Sequence, residues 1–175
     1  MLRPFRGVYP AVHDSAFVDT SAQVIGNVHM GPESSAWMNV VVRGDVNVIR
    51  IGARTNIQDL SLVHVMAETH PAIIGDNVTV GHSAVIHGCT IENRCLIGMG
   101  AILLNGCRIG TGSIVAAGTL VPENMVVPPG SMVMGVPGKV RRSLTPEEDA
   151  SIQWYADNYV HYRLDFQVEQ TSPNR

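Results

Sequence analysis

A six-residue period runs through most of this chain, and few architectures can accommodate it. Steps of six residues, with an apolar residue first and a small one fifth, place Val12, Val18, Val24, Met30, Ala36 and Val42 in the first position. After one interruption the series continues as Ile51, Ile57 and Val63, and after a second as Ile74, Val80 and Ile86. It resumes one residue early with Ile91, Ile97, Leu103, Ile109, Val115 and Val121. All 18 first positions are apolar, where a composition of 45% apolar residues would give about eight by chance. The fifth positions, from Ala16 to Thr119, are small or β-branched, and only Met125 at the end of the series departs. Aromatic residues make up only 5% of the chain, so Val, Ile, Leu and Ala must fill the core. With 17 Gly and 10 Pro, this composition suits thin, repetitive β structure better than a helical bundle.

This hexapeptide repeat resembles that of the left-handed parallel β-helix proteins, an all-β fold in which three hexapeptides form one triangular coil. The handedness comes from the resemblance, since the general crossover rule predicts the opposite hand. Eighteen steps imply about six coils, and at ~4.8 Å per coil the prism would stand roughly 29 Å tall. Apolar first residues point inward, and stacking buries what one coil cannot.

The array is expected to end near Val121. Pro122 to Gly138 is rich in Pro and Gly and reads as a connector. A C-terminal α-helix follows, with Thr145 as N-cap, Pro146 at the first helical position and Glu148 completing a capping box. Ile152, Tyr155, Tyr159 and Tyr162 recur at helical spacing and suggest an apolar stripe packed on the prism. Two units result: residues 1–138 form the β-helix with its connector, and 139–175 form the helix with a tail that frays from about Gln170.

Net charge is -3 and no basic run occurs, which argues against a nucleic-acid partner. The opening stretch MLRPFRGVYP lacks the apolar core of a signal peptide, and no run of about 18 apolar residues could span a membrane. Cys89, Cys95 and Cys107 show no CxxC spacing; they read as free, mostly buried thiols in a reducing cytoplasm.

The coil register locates the chemistry. With the three sides numbered from Val12, residues Arg43, His64 and His87 each take the second position of side three in successive coils. Asp59 and His82 each take the third position of side two. Two His one coil apart stand ~4.8 Å apart at the backbone, and slight convergence of the rings lets them share one ion. His82 points elsewhere and should not reach that ion within one chain. A neighbouring chain could offer its His82 if prisms pack about a three-fold axis, which would also bring Arg43 near the neighbour's Asp59. A simple surface role for any one of these His remains open, as does a purely interfacial role for Arg43, Asp45 and Asp59.

Arg43-Gly44-Asp45, the run Ile51 to Asp59 containing Asn56-Ile57-Gln58-Asp59, His64, and the stretch Gly81-His82 through His87-Gly88-Cys89 together resemble the γ-class carbonic anhydrase signature. The resemblance extends from about Pro10 into the C-terminal helix. It implies a homotrimer in which His64, His82 and His87 bind a metal, two from one subunit and one from its neighbour. The metal would be Zn, with Fe(II) or Co as alternatives. It further implies that Arg43, Asp45 and Asp59 organise the interface beside the metal. Asn56 and Gln58 would lie near its bound water, and Asn158 or Tyr159 would approach the site from the helix, although Tyr159 can equally be a packing residue. The implied reaction is reversible hydration of CO2 to bicarbonate by a metal-bound hydroxide at the subunit interface.

Two departures bear on the rate. Val46 stands where the founding member of the family has Glu, and a short insertion around Met66 to Ala72 replaces its long acidic loop. Glu68 and His70 in that insertion are candidate proton carriers, or merely solvated loop residues, and a low rate of CO2 hydration is expected. Three other functions fit the same repeat: metal-dependent acyl-CoA thioesterase, hexapeptide acyltransferase, and non-enzymatic trimeric scaffold.

Overall fold

A computed structural model describes residues 1–171. Short parallel strands stack in three columns to give a parallel β-solenoid of about seven turns, with one C-terminal helix. Side one carries Ala11–Val12, the later part of Val41–Ile51, Ala72–Ile74, Thr90–Ile91, Arg108–Ile109 and Val126–Val127. Side two carries Phe17–Val18, Ser35–Ala36, Asn56–Ile57, Thr79–Val80, Leu96–Ile97, Ile114–Val115 and Ser131–Met134. Side three carries the first part of Val41–Ile51, then Leu62–His64, Val85–His87, Ile102–Leu103 and Leu120–Val121.

First positions of the repeat meet their counterparts one coil away, as in Val42 with Val63, Val63 with Ile86 and Ile86 with Leu103. From Val24 onward every one of them is buried, whereas Val12 and Val18, in the first coil, are half-buried. Small fifth residues fit the corners, and the hydroxyls of Ser34, Thr55, Ser61 and Ser113 find backbone carbonyls, whereas the buried Thr119 Oγ1 has no partner among the described residues. Thr55 Oγ1 donates to Gly75 O at 2.7 Å, and Ser61 Oγ donates to Gly81 O at 3.0 Å. A buried hydroxyl left unpaired would cost about 1–3 kcal/mol.

The array runs one coil further than the expected six. Val127 and Val133, 1% and 0% exposed, continue the six-residue step on sides one and two. Pro122, Pro128, Pro129 and Gly130 sit at corners, which tolerate them, so 122–134 is a coil and not a connector, and only the turn at 135–138 leads out of it. Lys139–Ser143 then pairs antiparallel with Ser131–Met134 before the helix Pro146–Thr171 begins.

The helix starts as its capping box predicts. Thr145 Oγ1 accepts the Glu148 amide at 3.2 Å, and Glu148 Oε2 accepts the Thr145 amide at 2.9 Å. It runs along side two, against Ser35–Ala36 and Thr79–Val80. Its buried stripe differs from the expected one. Ile152, Ala156, Val160 and Arg163 are buried and Tyr159 is half-buried, but Tyr155 and Tyr162 are exposed. The prism surface here combines an apolar patch of Ile114, Met132 and Leu96 under Ile152 with the carboxylate of Glu33, so a small Ala and an ion-paired Arg fill places that an aromatic reading assigns to Tyr. Arg163 reaches Glu33 at 3.0 Å, and Glu33 also holds Arg54 at 3.2 Å. Trp37 seats the helix apolarly, with ring centroids 5.2 Å from Tyr159 and 5.1 Å from Phe166.

Gln170 is still helical, and its Nε2 donates to Asp19 Oδ2 at 3.2 Å. The rest of the expected frayed tail, residues 172–175, lies outside the described residues. No helix among the described residues is long and apolar enough to cross a membrane. Cys89, Cys95 and Cys107 are free and buried.

Candidate metal centre

Side three turns two imidazoles toward each other. His64 and His87 are directly paired across adjacent coils, and His64 Nδ1 lies 3.1 Å from His87 Nε2. Two nitrogens on one tetrahedral zinc, each at about 2.1 Å, lie roughly 3.4 Å apart. Each ring is held by oxygen at its other nitrogen. Asp45 Oδ1 is 3.0 Å from His64 Nε2, and Asn105 Oδ1 is 2.8 Å from His87 Nδ1. A carboxylate only accepts, so His64 bears its hydrogen on Nε2 and turns the Nδ1 lone pair toward His87. Imidazoles that bind metals have such an oxygen behind them. Burial, aided by the Arg43 charge, holds His64 below the ordinary histidine value despite its bond to Asp45, which favours the neutral form a metal requires.

Asp45 is positioned by the chain turn at Arg43-Gly44-Asp45, inside the long strand Val41–Ile51. A Cβ on Gly44 would stand 2.7 Å from Asn27 O, so only glycine lets this coil lie close on the one before it. Burial alone would raise the Asp45 pKa, but hydrogen bonds from His64 and Arg43 outweigh it and keep the carboxyl below its usual range. Arg43 forms its ion pair with Asp45.

Side two presents the remaining predicted residues around a cleft of about 290 Å³ between the prism and the helix. His82 Nδ1 meets Asp59 Oδ2 at 2.9 Å, which leaves Nε2 outward. The His82 side chain is 44% exposed, against 15% for His64, so the imidazole is open to a partner beyond this chain. Asn56 Nδ2 donates to Thr79 Oγ1 at 2.9 Å, and Gln58 Nε2 donates to Asn56 Oδ1 at 3.1 Å. Gln58, His82 and Tyr159 line the cleft with Leu96 and Met99. Burial, then the nearby Asp59 charge, push the Tyr159 hydroxyl up to about 12, so it stays protonated. Tyr159 packs on Trp37 and lines the cleft, while Asn158 does not line it.

The two groups of residues sit on different sides of the prism. Among the described residues, no three His, Cys, Asp or Glu side chains of one chain converge on a single point. Glu68 is exposed on its loop, and His70 is bonded to neighbouring Thr69 at 2.9 Å. The residue that sequence reasoning missed is Asn105. It lies outside the signature stretches, and the signal that marks it is positional: it follows side three in the coil after His87. The donor set suits a divalent ion of borderline softness, with neutral imidazoles backed by oxygen acceptors.

Comparison with known proteins bears on the family and the fold. A family profile described as bacterial transferase hexapeptide (six repeats) matches residues 88–123. Protein YrdA of Escherichia coli is 44% identical over 99% of this chain and 98% of its own length. A carbonic anhydrase of Geobacillus kaustophilus is 42% identical over 98% of this chain and 96% of its own. The crystal structure of a hexapeptide transferase family protein from Anaplasma phagocytophilum superposes with a TM-score of 0.91 at 38% identity, covering 94% of this chain and 97% of that one. Full-length identity of this order, together with the shared solenoid, establishes the relationship: the chain belongs to the γ-carbonic-anhydrase-like family, within the hexapeptide-repeat transferase superfamily.

Proposed function

We propose that this chain is a metal-dependent carbonic anhydrase of the γ class, active as a homotrimer, that interconverts CO2 and bicarbonate. His64 and His87 of one subunit and His82 of its neighbour would hold the ion, zinc by preference, with Fe(II) or Co as alternatives. The observation that carries this reading is the pair of imidazole nitrogens facing each other at 3.1 Å, each ring backed by an oxygen. Carbonic anhydrase relatives at this level of identity support the choice of substrate. When bound, the ion supplies an acidified water as nucleophile.

The chain's own residues do the rest. Asp45, Asn105 and Asp59 hold the three imidazoles in fixed orientations. Thr79 fixes Asn56, and Asn56 fixes Gln58, so Gln58 offers a preset amide to orient CO2 or the attacking oxygen. Tyr159 stays a neutral hydroxyl at the cleft wall, and Leu96 and Met99 make that wall apolar. Arg43 and Asp59 would pair across the subunit interface.

Elemental analysis of anaerobically purified, untagged protein beside the His82→Ala variant tests the reading. About one Zn, Fe or Co per chain is expected, lost in the variant, with CO2 hydration in the native protein alone. A chain that takes up no metal even on reconstitution would sink the proposal and leave a non-enzymatic trimeric scaffold. The cleft favours one second reading. At about 290 Å³, with mostly apolar walls, it approaches the roughly 300 Å³ at which pockets begin to hold larger organic ligands. Hydrolysis of an acyl-CoA thioester by the same centre, without CO2 hydration, would establish that alternative.

A further inference from the structure

We propose that Cys89 and Cys107 are a redox pair inside the prism: a peroxide joins them in a disulfide that staples the corner after His87 to the coil that follows. The proposal draws on the packing of the prism and does not rest on the metal reading.

The repeat itself brings the two sulfurs together. Its one-residue shortening between Ile86 and Ile91 leaves Cys89 two residues before a first position, as Cys107 stands two residues before Ile109. Thr90 pairs with Arg108 and Ile91 with Ile109 in parallel register, and the Thr90 amide donates to Cys107 O at 3.0 Å. Cys89 and Cys107 therefore share one inward corner column in consecutive coils, about 4.8 Å apart at the backbone. A disulfide spans Cα separations of about 4.4–6.8 Å. The Cys89 thiol already lies within hydrogen-bonding reach of the Cys107 thiol. Ala72 and Met125 continue the column on either side of the pair. Cys95 belongs to a different column, between Val78 and Ser113, neither of which bears sulfur.

Both thiols are free and buried, 2% and 1% exposed, so only a small oxidant reaches them when the coil opens locally. Hydrogen peroxide meets that requirement. One cysteine sulfur attacks a peroxide oxygen, the O–O bond breaks, and a sulfenic acid and one water form. The other sulfur attacks the sulfenic sulfur, the S–O bond breaks and the S–S bond forms. The hydroxyl leaves as a second water, taking up the hydrogen of the attacking thiol. The two cysteines lose two electrons and the peroxide gains them. The neighbouring thiol matters because of what the core can hold. A disulfide is uncharged, whereas the sulfinic acid to which an unpartnered sulfenic acid proceeds ionises, and an apolar corner opposes that charge. The corner that the bond would staple is otherwise tied by backbone hydrogen bonds. Gly88 donates to His64 O at 2.9 Å, and Gly106 donates to Gly88 O at 2.7 Å.

The test exposes the folded, full-length chain to hydrogen peroxide, alkylates the remaining thiols in denaturant and maps the peptides by mass spectrometry without reduction. Trypsin cuts after Arg94, between the two cysteines, so a linked pair of peptides reports the bond, and fragmentation distinguishes Cys107 from Cys95. A pair joined from Cys89 to Cys107 is expected, about 2 Da lighter than the two reduced peptides together and separated by dithiothreitol. Cys95→Ala should leave that link intact, and Cys107→Ser should abolish it. Hydrogen exchange at the Thr90 and Gly106 amides, which bond across the corner, should slow at least about tenfold in the oxidised chain. Thiols that stay reduced in the folded chain, under peroxide that oxidises them in urea, would overturn the pairing, as would a link that engages Cys95. A Cys89–Cys107 bond that leaves both exchange rates unchanged would overturn the stapling.

Discussion

The upper coils and the middle coils of this solenoid obey the same repeat with different strictness. Ile91 pairs with Ile109, a spacing of 18 residues that keeps three unbroken hexapeptides per coil. Val42 pairs with Val63 and Val63 with Ile86, spacings of 21 and 23. The strict region overlaps the hexapeptide family match at 88–123 and carries none of the three histidines. The interrupted region carries His64, His82 and His87 with Asp45, Gln58 and Asp59. Inward positions are committed to packing in both regions, so a site that meets solvent can be written only on outward positions and at the insertions between hexapeptides. A scaffold of this kind separates the residues that make it stand from those that make it act.

That separation is tested most severely by substitutions that should affect only one of the two. His64→Ala, in the interrupted region, should remove nearly all bound metal. The partly buried imidazole supports no core residue, so the metal-free variant should melt within about 1 kcal/mol of the metal-free native chain. Metal content and thermal unfolding of both proteins after chelation check this. A metal-free variant that is grossly destabilised would show that site and scaffold are not separable.

The converse substitution lies in the strict region. Leu103 is wholly buried between Ile86 and Val121. Leu103→Ala should cost about 2–5 kcal/mol in urea unfolding, from lost transfer energy and an incompletely collapsed cavity. Metal per folded chain should stay at the native level. A loss of less than about 1 kcal/mol would mean that neighbouring coils can close the gap, and that the solenoid is softer than its uniform packing implies.

These two regions also differ in how far the sequence disclosed them. The prism was legible because its signal repeats: each apolar first position is one more reading of the same rule, and the His64–His87 register followed from counting. The additional coil was not legible, because Pro and Gly punctuate corners and connectors alike, and only Val127 and Val133 beneath them distinguish the two. On the outside the signal occurs once. Asn105 is a single amide whose role depends on a coil 18 residues from His87, and no local pattern marks it. The helix stripe was misread for a related reason. Periodicity finds large apolar residues, whereas the close approach of the helix is built from Ala156 and from Arg163 paired to Glu33. Asp157 and Gln153 extend that polar contact to Arg54 and Asn77. What a sequence states once, in polar residues, is settled by tertiary geometry.

The C-terminal helix sits between the two cases, since it docks on the scaffold and also walls the cleft with Tyr155 and Tyr159. Its start therefore offers a graded probe. Thr145→Ala removes the oxygen that accepts the Glu148 amide and should cost about 1 kcal/mol of stability, read as a lower melting temperature. If the helix is part of the site, substrate KM should rise with little change in metal content. If it is only packing, KM should not move.

The smallest effect is expected from acid at the same cap. Arg142 and the Thr145 amide hold the exposed Glu148 carboxylate down to a pKa of about 2, from an ordinary 4.5. A depressed folded-state pKa favours folding above the unfolded value and stops doing so below the folded one. The contribution is thus complete above about pH 4.5, fades as pH falls, and is gone below about 2. Because the pair is in open solvent, the loss should loosen the first helical turn without unfolding the prism, whose core is uncharged. Circular dichroism should show a shallow helical loss across that window, at low salt more than at high. Glu148→Gln should flatten it while leaving the β signal as it was. A single cooperative acid transition, identical in Glu148→Gln, would place the first acid-labile contact elsewhere. The ion pair of Arg163 with Glu33, buried on the arginine side and nearer the middle of the helix, would then be the next contact to test.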